Sequence, residues 1–447
     1  MARAKKEAAL TPEERLQAAL VPDLEWPYKL PGNWCWTTVG AINQYVGISA
    51  DPTKAKNKTF ELYSVPSSAD NYPEIVLGAD IGSTKQSVKK GDVLLCKINP
   101  RINRVWKVSK YTDHSLLASS EWIVIRNSGL ISNYLMWCFR SPYFRGYMLS
   151  NVSGVGGSLM RAQPKFVQGY PVPVPPLAEQ QRIVDRIESL FAKLDEAKEK
   201  AQAVVDSFET RKAAILHKAF TGELTAKWRE EHGVSIDNWK TTRFDSVAAI
   251  RSNLVDPAEY QSFPHIAPDN IEKKTGVLLE YHTIAEDGVT SGKHRFYSGQ
   301  ILYSKIRPYL SKAVVVDFDG LCSADMYPIE AYQNARCLWY YMLSDEFLLQ
   351  ASTAGSRSVL PKINQKELSA LTVHLPTNDR EQEEIARILD ELFDKEQQTK
   401  EAAEIVLDQI ELMKKSILAR AFRGELGMND PNEESAVELL KRGLEKK

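Results

Sequence analysis

Two stretches of the chain carry several basic side chains and no acidic ones, a pattern suited to contacts with phosphate groups. Residues 93–112 and 288–316 each hold five cations without a carboxylate, interleaved with aromatic residues such as Trp106 and Tyr309. Lysine and arginine bind phosphate oxygens, and neighbouring side chains can reach base edges in a groove. The candidate binding residues are Lys97, Arg101, Arg104, Lys107, Lys110, Lys293, Arg295, Lys305, Arg307 and Lys312.

A second basic stretch, rich in glycine and serine, follows each of the first two. It contributes Arg161 and Lys165 after the first and Arg357 and Lys362 after the second. Glycine lets the backbone approach a ligand closely, but an ordinary loop needs it equally. A run of charge is also typical of a solvated surface, and that interpretation stays open. The recurrence of the first stretch at equivalent positions favours binding, whereas both interpretations of the second stretch stay open.

The net charge of the whole chain gives no support for a polyanionic partner. The 447 residues carry a net charge of −1. The distribution is uneven, because residues 31–170 hold 16 basic against 8 acidic side chains, whereas residues 240–374 hold 14 against 15. Any binding to nucleic acid must therefore come from local patches.

Motifs for catalysis and for metal binding are missing from the sequence. It contains no glycine-rich phosphate loop and no Asp/Asn-Pro-Pro-aromatic motif of base-methylating enzymes. Asp269, Glu272 and Lys273 only superficially resemble a nuclease site, since the two acids lie three residues apart on a predicted loop. The five cysteines are scattered without a C-x-x-C pair. The sequence favours a binding protein without a catalytic centre, cofactor or metal of its own.

The chain contains a tandem repeat. Residues 179–224 align with residues 381–426 without a gap, with 20 identities in 46 positions. The preceding segments also correspond, although their loops differ in length. The chain therefore reads as variable domain, helix, variable domain, helix.

Each repeated segment has apolar residues at alternating steps of three and four, the pattern of a coiled-coil seam. Arg211 occupies one seam position of the first copy, and Glu396 and Thr399 interrupt the second. Two helices of about 40 residues, each about 60 Å long, are predicted to bury their apolar seams against each other, most simply as a pair lying side by side. Packing of each helix on its own domain stays an alternative. The predicted seam residues are Ile183, Ile187, Leu190, Leu194, Val204, Phe208, Ile215, Ile385, Leu389, Leu392, Val406, Ile410, Met413 and Ile417.

The predicted fold class is α/β or α+β, since short β-favouring runs alternate with turns and short helices in both variable domains. We predict an N-terminal helical extension over 1–29, variable domains over 30–176 and 227–376, long helices over 177–226 and 377–426, and a helical tail over 427–447. No apolar run approaches the ~18 residues of a membrane span, so we expect a cytoplasmic protein without membrane contacts.

Three motifs carry a resemblance to a known family. They are PVPPLAEQQRIVDRIESLF at 173–191, AFTGELTAKWR at 219–229 and ARAFRGELGMNDPNEESAVELL at 419–440. Together with the order of domains and helices, they closely resemble the specificity subunit of type I restriction-modification systems. The resemblance covers nearly the whole chain.

The resemblance implies a non-catalytic reader of double-stranded DNA. Each variable domain would be a target recognition domain for one half of a split site, and the helices would form an antiparallel coiled coil that sets the spacer. Two methyltransferase (modification) subunits and motor-endonuclease (restriction) subunits are the implied partners. S-adenosylmethionine, ATP and magnesium are expected in those partners, and none of them in this chain.

Two other classes of function stay open from the residues alone. A coiled-coil scaffold whose two heads bind proteins would show salt-insensitive partner binding and no DNA affinity. An enzyme acting alone would transfer methyl groups or cleave DNA as the purified chain. Only the DNA reader accounts for the repeats, the basic stretches and the missing catalytic motifs together.

Overall fold

A computed structural model describes residues 11–127, 129–153, 160–354 and 361–445. The chain folds into two compact units. The first consists of Met1–Lys200 and Val406–Lys447, and the second of Ala201–Ile405. Each unit thus contains one variable domain and part of both long helices.

The first variable domain is built from short strands and helices. Its strands are β1 (Cys35–Thr38), β2 (Ser49–Ala50), β3 (Thr59–Tyr63), β4 (Glu74–Leu77), β5 (Lys85–Ser87), β6 (Val93–Cys96), β7 (Val105–Lys107), β8 (Ser115–Ala118), β9 (Trp122–Ile125), β10 (Val152–Ser153), β11 (Arg161–Ala162) and β12 (Pro171–Val174). The helices are α1 (Pro12–Ala19), α2 (Val39–Ile42), α3 (Ser132–Arg140), α4 (Pro142–Ser150), α5 (Pro164–Val167) and α6 (Leu177–Asp206), the last being the start of the first long helix.

The second variable domain repeats this composition. Its strands are β13 (Trp239–Arg243), β14 (Ala248–Ile250), β15 (Leu254–Val255), β16 (Pro264–Ile266), β17 (His282–Thr283), β18 (Lys293–Phe296), β19 (Ile301–Ser304), β20 (Ala313–Val315), β21 (Gly320–Cys322), β22 (Met326–Ala331) and β23 (Thr372–Pro376). The remaining helices are α7 (Phe208–Phe220), α8 (Ala226–His232), α9 (Ile284–Asp287), α10 (Ala335–Met342), α11 (Asp345–Ala354), α12 (Gln365–Ala370), α13 (Asp379–Ala421) and α14 (Ala436–Glu445).

The two variable domains share most of their sheet topology, and the smaller sheet of the second domain has one more strand. A five-stranded sheet runs β2-β5-β8-β3-β4 in the first and β15-β18-β21-β16-β17 in the second. In both sheets one inner pair is parallel, β3 with β8 and β16 with β21. A smaller sheet runs β7-β6-β9 in the first and β14-β22-β19-β20 in the second. The mixed α/β class and the tandem repeat predicted from the sequence are confirmed.

Each variable domain is closed by its own two-stranded sheet. In the first, β1 pairs antiparallel with β12, which places Cys35 opposite Val174. In the second, β13 pairs with β23, which places Trp239 opposite Pro376. The chain therefore enters and leaves each domain at neighbouring backbone positions, directly before a long helix begins.

A buried glutamate marks the start of each long helix. Glu179 accepts hydrogen bonds from the Trp34 indole at 2.8 Å and from Asn429 at 2.9 Å. Glu381, fully buried in the second unit, accepts from the Trp239 indole at 3.0 Å and from Arg229 at 2.7 Å. Each glutamate therefore ties the helix to the first strand of its domain.

Within each unit, the segments of the two long helices run antiparallel. In the first unit Asp195 pairs with Lys414 at 2.5 Å, and Lys198 pairs with Glu411 at 2.7 Å. From the first pair to the second, the residue number rises by three on one helix and falls by three on the other, as it does between antiparallel helices. Gly222 and Gly424 follow the helix ends at Phe220 and Ala421. Their φ angles of 81° and 75° suit only glycine well, as a C-terminal cap requires.

The predicted seam agrees with the observed burial at most positions. Ile183, Ile187, Phe208, Ile385, Leu389 and Ile410 are buried. Leu190, Leu194, Val204, Ile215, Leu392 and Ile417 are half-buried. Val406 and Met413 differ from the prediction, since they are 40% and 49% exposed. Beside Met413, ion pairs of long side chains bridge the two helices. The buried apolar residues of this part of the second helix are Ala403 and Ile410, which lie seven residues apart.

The first long helix is divided, whereas the second is continuous over 43 residues. Ser207 separates α6 from α7, and its hydroxyl donates to the Ala203 carbonyl at 2.6 Å. A serine that bonds back to the preceding turn competes with the helical ladder and bends the helix. The prediction of one uninterrupted helix is wrong at this residue.

The two irregular polar residues of the seam bind each other. Arg211 donates from Nε to Glu396 at 2.7 Å within the second unit, and the two side chains are 32% and 23% exposed. Thr399 instead faces solvent and bonds back to the Lys395 carbonyl. Glu396, which interrupts the seam of the second helix, therefore supplies the charge partner of Arg211 in the seam of the first.

We expect Glu396→Ala to lower the free energy of unfolding by about 1–3 kcal/mol, because it leaves the Arg211 guanidinium without its charge partner. The double variant Arg211→Leu/Glu396→Leu should regain that stability or exceed the wild type, since a well-packed apolar pair avoids desolvating two ions. Urea unfolding of the three proteins measures both effects. A double variant that is less stable than Glu396→Ala would contradict this interpretation.

Candidate nucleic-acid interface

A strained turn connects two strands of the smaller sheet in the first variable domain. The 3-10 turn Pro100–Ile102 lies between β6 and β7. The residues on either side, Asn99 and Asn103, are left-handed, with φ angles of 46° and 54°. Left-handed backbone costs a non-glycine residue roughly 1–2 kcal/mol, although asparagine tolerates it better than most. Strain of this kind is concentrated at functional sites.

The second variable domain repeats this turn with other residues. Pro308–Leu310 forms the 3-10 turn between β19 and β20. Arg307 and Ser311 flank it with φ angles of 48° and 47°. Neither residue has the tolerance of asparagine for this conformation. The same backbone shape is thus retained in both domains in spite of different side chains.

The turn brings the two predicted basic stretches of each domain together. In the first domain the backbone N–H of Asn99 donates to the Met160 carbonyl at 2.8 Å, and the backbone N–H of Ala162 donates to the Lys97 carbonyl at 2.8 Å. This places Arg161 beside Lys97. In the second domain the equivalent bonds join Arg307 to Pro361 and Ile363 to Lys305, at 2.7 and 2.9 Å, which places Lys362 beside Lys305.

Both clusters include a carboxylate that the basic stretches lack. Arg161 forms an ion pair with Glu121 at 3.1 Å. Lys362 and Lys305 lie 3.2 Å and 3.9 Å from Asp325. The two acids occupy equivalent positions, since the backbone N–H of Lys97 donates to the backbone carbonyl of Glu121 and that of Lys305 to the backbone carbonyl of Asp325. Sequence reasoning missed this role, and the matching Ser-x-Glu and Ser-x-Asp of the repeat were the available signal.

Three cations coincide between the two domains. The backbone bonds of the turn and of the strands around it match Lys97 to Lys305 and Arg161 to Lys362. They also match Arg104 to Lys312. The Arg104 carbonyl accepts from the backbone N–H of Cys96 at the end of β6, and the Lys312 carbonyl accepts from that of Ser304 at the end of β19. A positive charge is therefore kept at three positions although the identity of the side chain changes at two of them. This is what contacts with phosphate require, since they depend on charge and not on sequence.

Several polar atoms around the first turn are buried without a hydrogen-bond partner among the described residues. They are Asn99 Oδ1, Glu121 Oε2 and Arg145 Nε. Buried polar atoms are nearly always paired in folded proteins, so each exception calls for an explanation. Three exceptions at one turn are consistent with a surface that completes its hydrogen bonds on binding.

Other predicted residues are dispersed. Arg101 and Arg307 are exposed at the turns, and Lys107 is half-buried at the end of β7. Lys110 pairs with Asp113 at 2.9 Å, and Lys165 lies over the Phe166 ring. Lys312, one of the three matched cations, lies 3.7 Å from Asp269. Arg357 lies outside the described residues.

Lys293 and Arg295 do not join the turn of the second domain. Both lie on β18 in the five-stranded sheet, so the predicted stretch is divided between two sheets. The Arg295 guanidinium packs against the rings of Tyr260 and Tyr297, at 5.4 and 4.9 Å. A continuous basic stretch in the sequence therefore need not form one surface.

We expect Arg307→Asn to separate stability from binding. Asparagine tolerates the left-handed backbone, so relief of strain should raise the free energy of unfolding by about 1 kcal/mol, while loss of the guanidinium weakens DNA binding. Thermal unfolding and DNA titration measure the two effects. Arg101→Asn is the control, because Arg101 lies inside the 3-10 turn and not at a left-handed position. Equal stability changes in both variants would disprove the role of strain.

No group of three or more His, Cys, Asp or Glu side chains is placed to hold a metal ion within the described parts of the chain. All five cysteines are free and buried. Among the residues that the structure describes, none of the helices has the length and apolar character needed to cross a bilayer.

Known proteins resemble this chain in sequence. A family model for the type I restriction modification DNA specificity domain matches residues 48–205 and again residues 236–406. The specificity subunit of the type I restriction enzyme EcoDI from Escherichia coli is 36% identical over 345 residues, which cover 72% of this chain and 76% of the relative. The EcoKI specificity subunit from Escherichia coli strain K12 is 25% identical over 333 residues, 68% of either chain.

Solved structures resemble it in fold. The HsdS subunit from Thermoanaerobacter tengcongensis matches with a TM-score of 0.61 at 20% identity, over 90% of this chain and all of the other. A chain from a study of complex assembly and conformational transition of the type I R-M system matches with a TM-score of 0.70 over the same shares, also at 20% identity. The family model covers both variable domains, and the repeats, the topology and the relatives agree. The chain therefore belongs to the family of type I restriction-modification specificity subunits.

Proposed function

We propose that this chain recognises double-stranded DNA for a type I restriction-modification complex, with each variable domain contacting one half of a split site. The observation that carries the proposal is the matched set of three cations around the same turn in both domains. Such contacts fix the register of a protein on the DNA backbone without reading its sequence.

The exposed tips of the two turns differ, and this difference supports the reading of two different half-sites. In the first domain the tip exposes Arg101 and Ile102, and in the second it exposes Arg307 and Tyr309. Arginine can bind guanine through two hydrogen bonds, and apolar side chains contact thymine methyl groups. Common cations would thus hold the backbone, while side chains that differ between the domains would select the bases.

Modification subunits and restriction subunits are the proposed partners. S-adenosylmethionine, ATP and magnesium belong to those subunits in this proposal, and this chain contributes recognition without a catalytic centre. Val406, Leu412 and Met413 support a docking role for the second long helix, since these apolar side chains are 40–62% exposed on it. Exposed apolar surface of this kind is typical of a protein interface.

The proposal is tested by co-expressing the chain with the modification subunit of its own system and mapping methylated adenines in the host DNA at single-base resolution. We expect methylation confined to one split motif, which disappears when this chain is omitted. The purified chain alone should transfer no methyl group. Methylation without a motif, from an assembled complex, would reject DNA recognition by these domains.

A further inference from the structure

An open cavity of about 500 Å³ lies in the first variable domain, between the start of β5 and the residues before β2. Its polar lining includes the hydroxyl groups of Ser49, Ser83, Thr84 and Ser120, together with Lys85. None of the lining residues, all of which lie in the described part of the chain, is acidic. Hydroxyl donors around a single cation suit an anion.

Lys85 is held in place without a carboxylate. Its ammonium group donates to the Ser83 carbonyl at 3.0 Å and to the Ser83 hydroxyl at 2.5 Å. An ammonium has three N–H donors, so one remains for a ligand. No acidic partner lies within ion-pair distance among the residues described, and partial burial lowers the pKa of Lys85. A bound anion would offset the cost of this unpaired charge.

The cavity adjoins the first turn. Ser120 lines the cavity, and the next residue is Glu121, the partner of Arg161. Gln86 fixes this connection, since its amide donates to the carbonyls of Ser119 and Trp122 at 3.0 and 2.9 Å. The segment Ser120–Glu121 therefore connects the cavity to the cations at the turn.

The second domain keeps the lysine but not the hydroxyl lining. Lys293 donates to the carbonyl and hydroxyl of Ser291 at 2.9 and 2.7 Å, as Lys85 does to Ser83. Unlike Lys85, it is almost fully buried. The strand pairing shows that the two lysines are equivalent. Gln86, which follows Lys85, pairs with Ala118, and His294, which follows Lys293, pairs with Cys322. Ala118 and Cys322 correspond because each directly precedes an aligned serine of the repeat.

Apolar and small residues replace three of the hydroxyl groups. Strand pairing matches Ser49 to Leu254, and the repeat matches Ser120 to Ala324 and Thr84 to Gly292. The Leu254 methyl lies 3.7 Å from the position that a Cβ at Gly292 would take. Leucine therefore occupies the neighbourhood of Lys293 where the first domain offers hydroxyl groups.

We infer that the cavity of the first domain binds a phosphate group of the DNA backbone, with Lys85 supplying the charge and Ser49, Thr84 and Ser120 the hydrogen bonds. The inference rests on the proposed function. It adds an anchor that only one of the two half-sites has, in agreement with the excess of basic residues in the first domain.

The test measures DNA binding by the complex of the full chain with its modification subunit over a series of salt concentrations. Each phosphate contact contributes about 0.9 to the slope of log affinity against log salt. We expect Lys85→Met to lower the slope by about 0.9. Ser49→Leu, which copies the second domain, should lower it similarly, because the leucine side chain fills the space beside Lys85 and keeps the phosphate from reaching the ammonium group. Lys293→Met is the matched control, and its slope should equal that of the wild type.

Single neutral methylphosphonate linkages placed along the DNA identify the contact independently. One linkage should weaken binding of the wild type and leave binding of Lys85→Met unchanged. If Lys85→Met does not fold, Ser49→Leu replaces it in this comparison, because Ser49 is exposed on an edge strand. An unchanged slope in both variants overturns the inference and leaves DNA recognition intact. A wild-type complex without specific DNA binding overturns the proposed function, and the inference with it.

Discussion

Glu381→Ala should lower the free energy of unfolding of the second unit by about 3–5 kcal/mol, because it removes the partner of a buried charge. Arg229 donates to Glu381 at 2.7 Å, and its side chain is only 11% exposed. The same carboxylate oxygen accepts from Thr225 at 2.8 Å and from Trp239 at 3.0 Å. One substitution therefore removes an acceptor shared by three buried donors. Urea unfolding followed by circular dichroism measures the loss.

The repeat supplies a matched control in Glu179. It accepts from Trp34 and Asn429, both uncharged, and burial raises the pKa of its carboxyl. Glu179→Gln keeps an oxygen that can accept both bonds, so we expect a small effect. Glu381→Gln removes the charge that Arg229 requires and should cost clearly more. Equal losses for the two glutamine variants would show that the ion pair is not the source of the stability.

Replacing Lys97, Arg104 and Arg161 together by alanine should weaken DNA binding about a hundredfold near physiological salt, because three phosphate contacts are lost. The slope of log affinity against log salt should fall by about three. Titration of DNA with the complex of this chain and its modification subunit measures both quantities. Methylation of the host DNA by the same complex should fall in parallel.

The control for this variant removes the same charge elsewhere in the first domain. Lys54, Lys56 and Lys58 are exposed and lie outside the turn cluster. Their replacement by alanine changes the net charge by the same amount without touching the turn. A loss of slope as large as that of the first triple variant would mean that net charge, and not the turn, determines the affinity.

Much of the fold could be predicted because the repeat is long and its helical spacing is regular. The glycine caps follow from residues that lie close together in the sequence, and the pairing of the two helices follows from the apolar seam that both copies carry. The wrong assignments at Val406 and Met413 arose because a row of apolar residues does not show which side of it meets the partner. The break at Ser207 depends on one hydroxyl group, which donates to a backbone carbonyl and not to solvent.

The candidate site was harder to predict because its members come from separate strands. The basic stretches were visible, but Glu121 and Asp325 reach the cations only through the order of the strands. The same order separates Lys293 from Lys305 although both lie in one acid-free stretch. Lys85 was not predicted, because a single lysine two residues after a serine has no significance until the sheet forms a cavity around it.

The pairing of β1 with β12 and of β13 with β23 has a consequence for how recognition can change. Because both ends of a variable domain meet in one small antiparallel pair, everything between them is inserted at a single place on the scaffold. Insertions with neighbouring ends are tolerated well, since they leave the surrounding fold undisturbed. Recombination at these strands would exchange one domain for another as a cassette. A new sequence preference could thus arise in one genetic event.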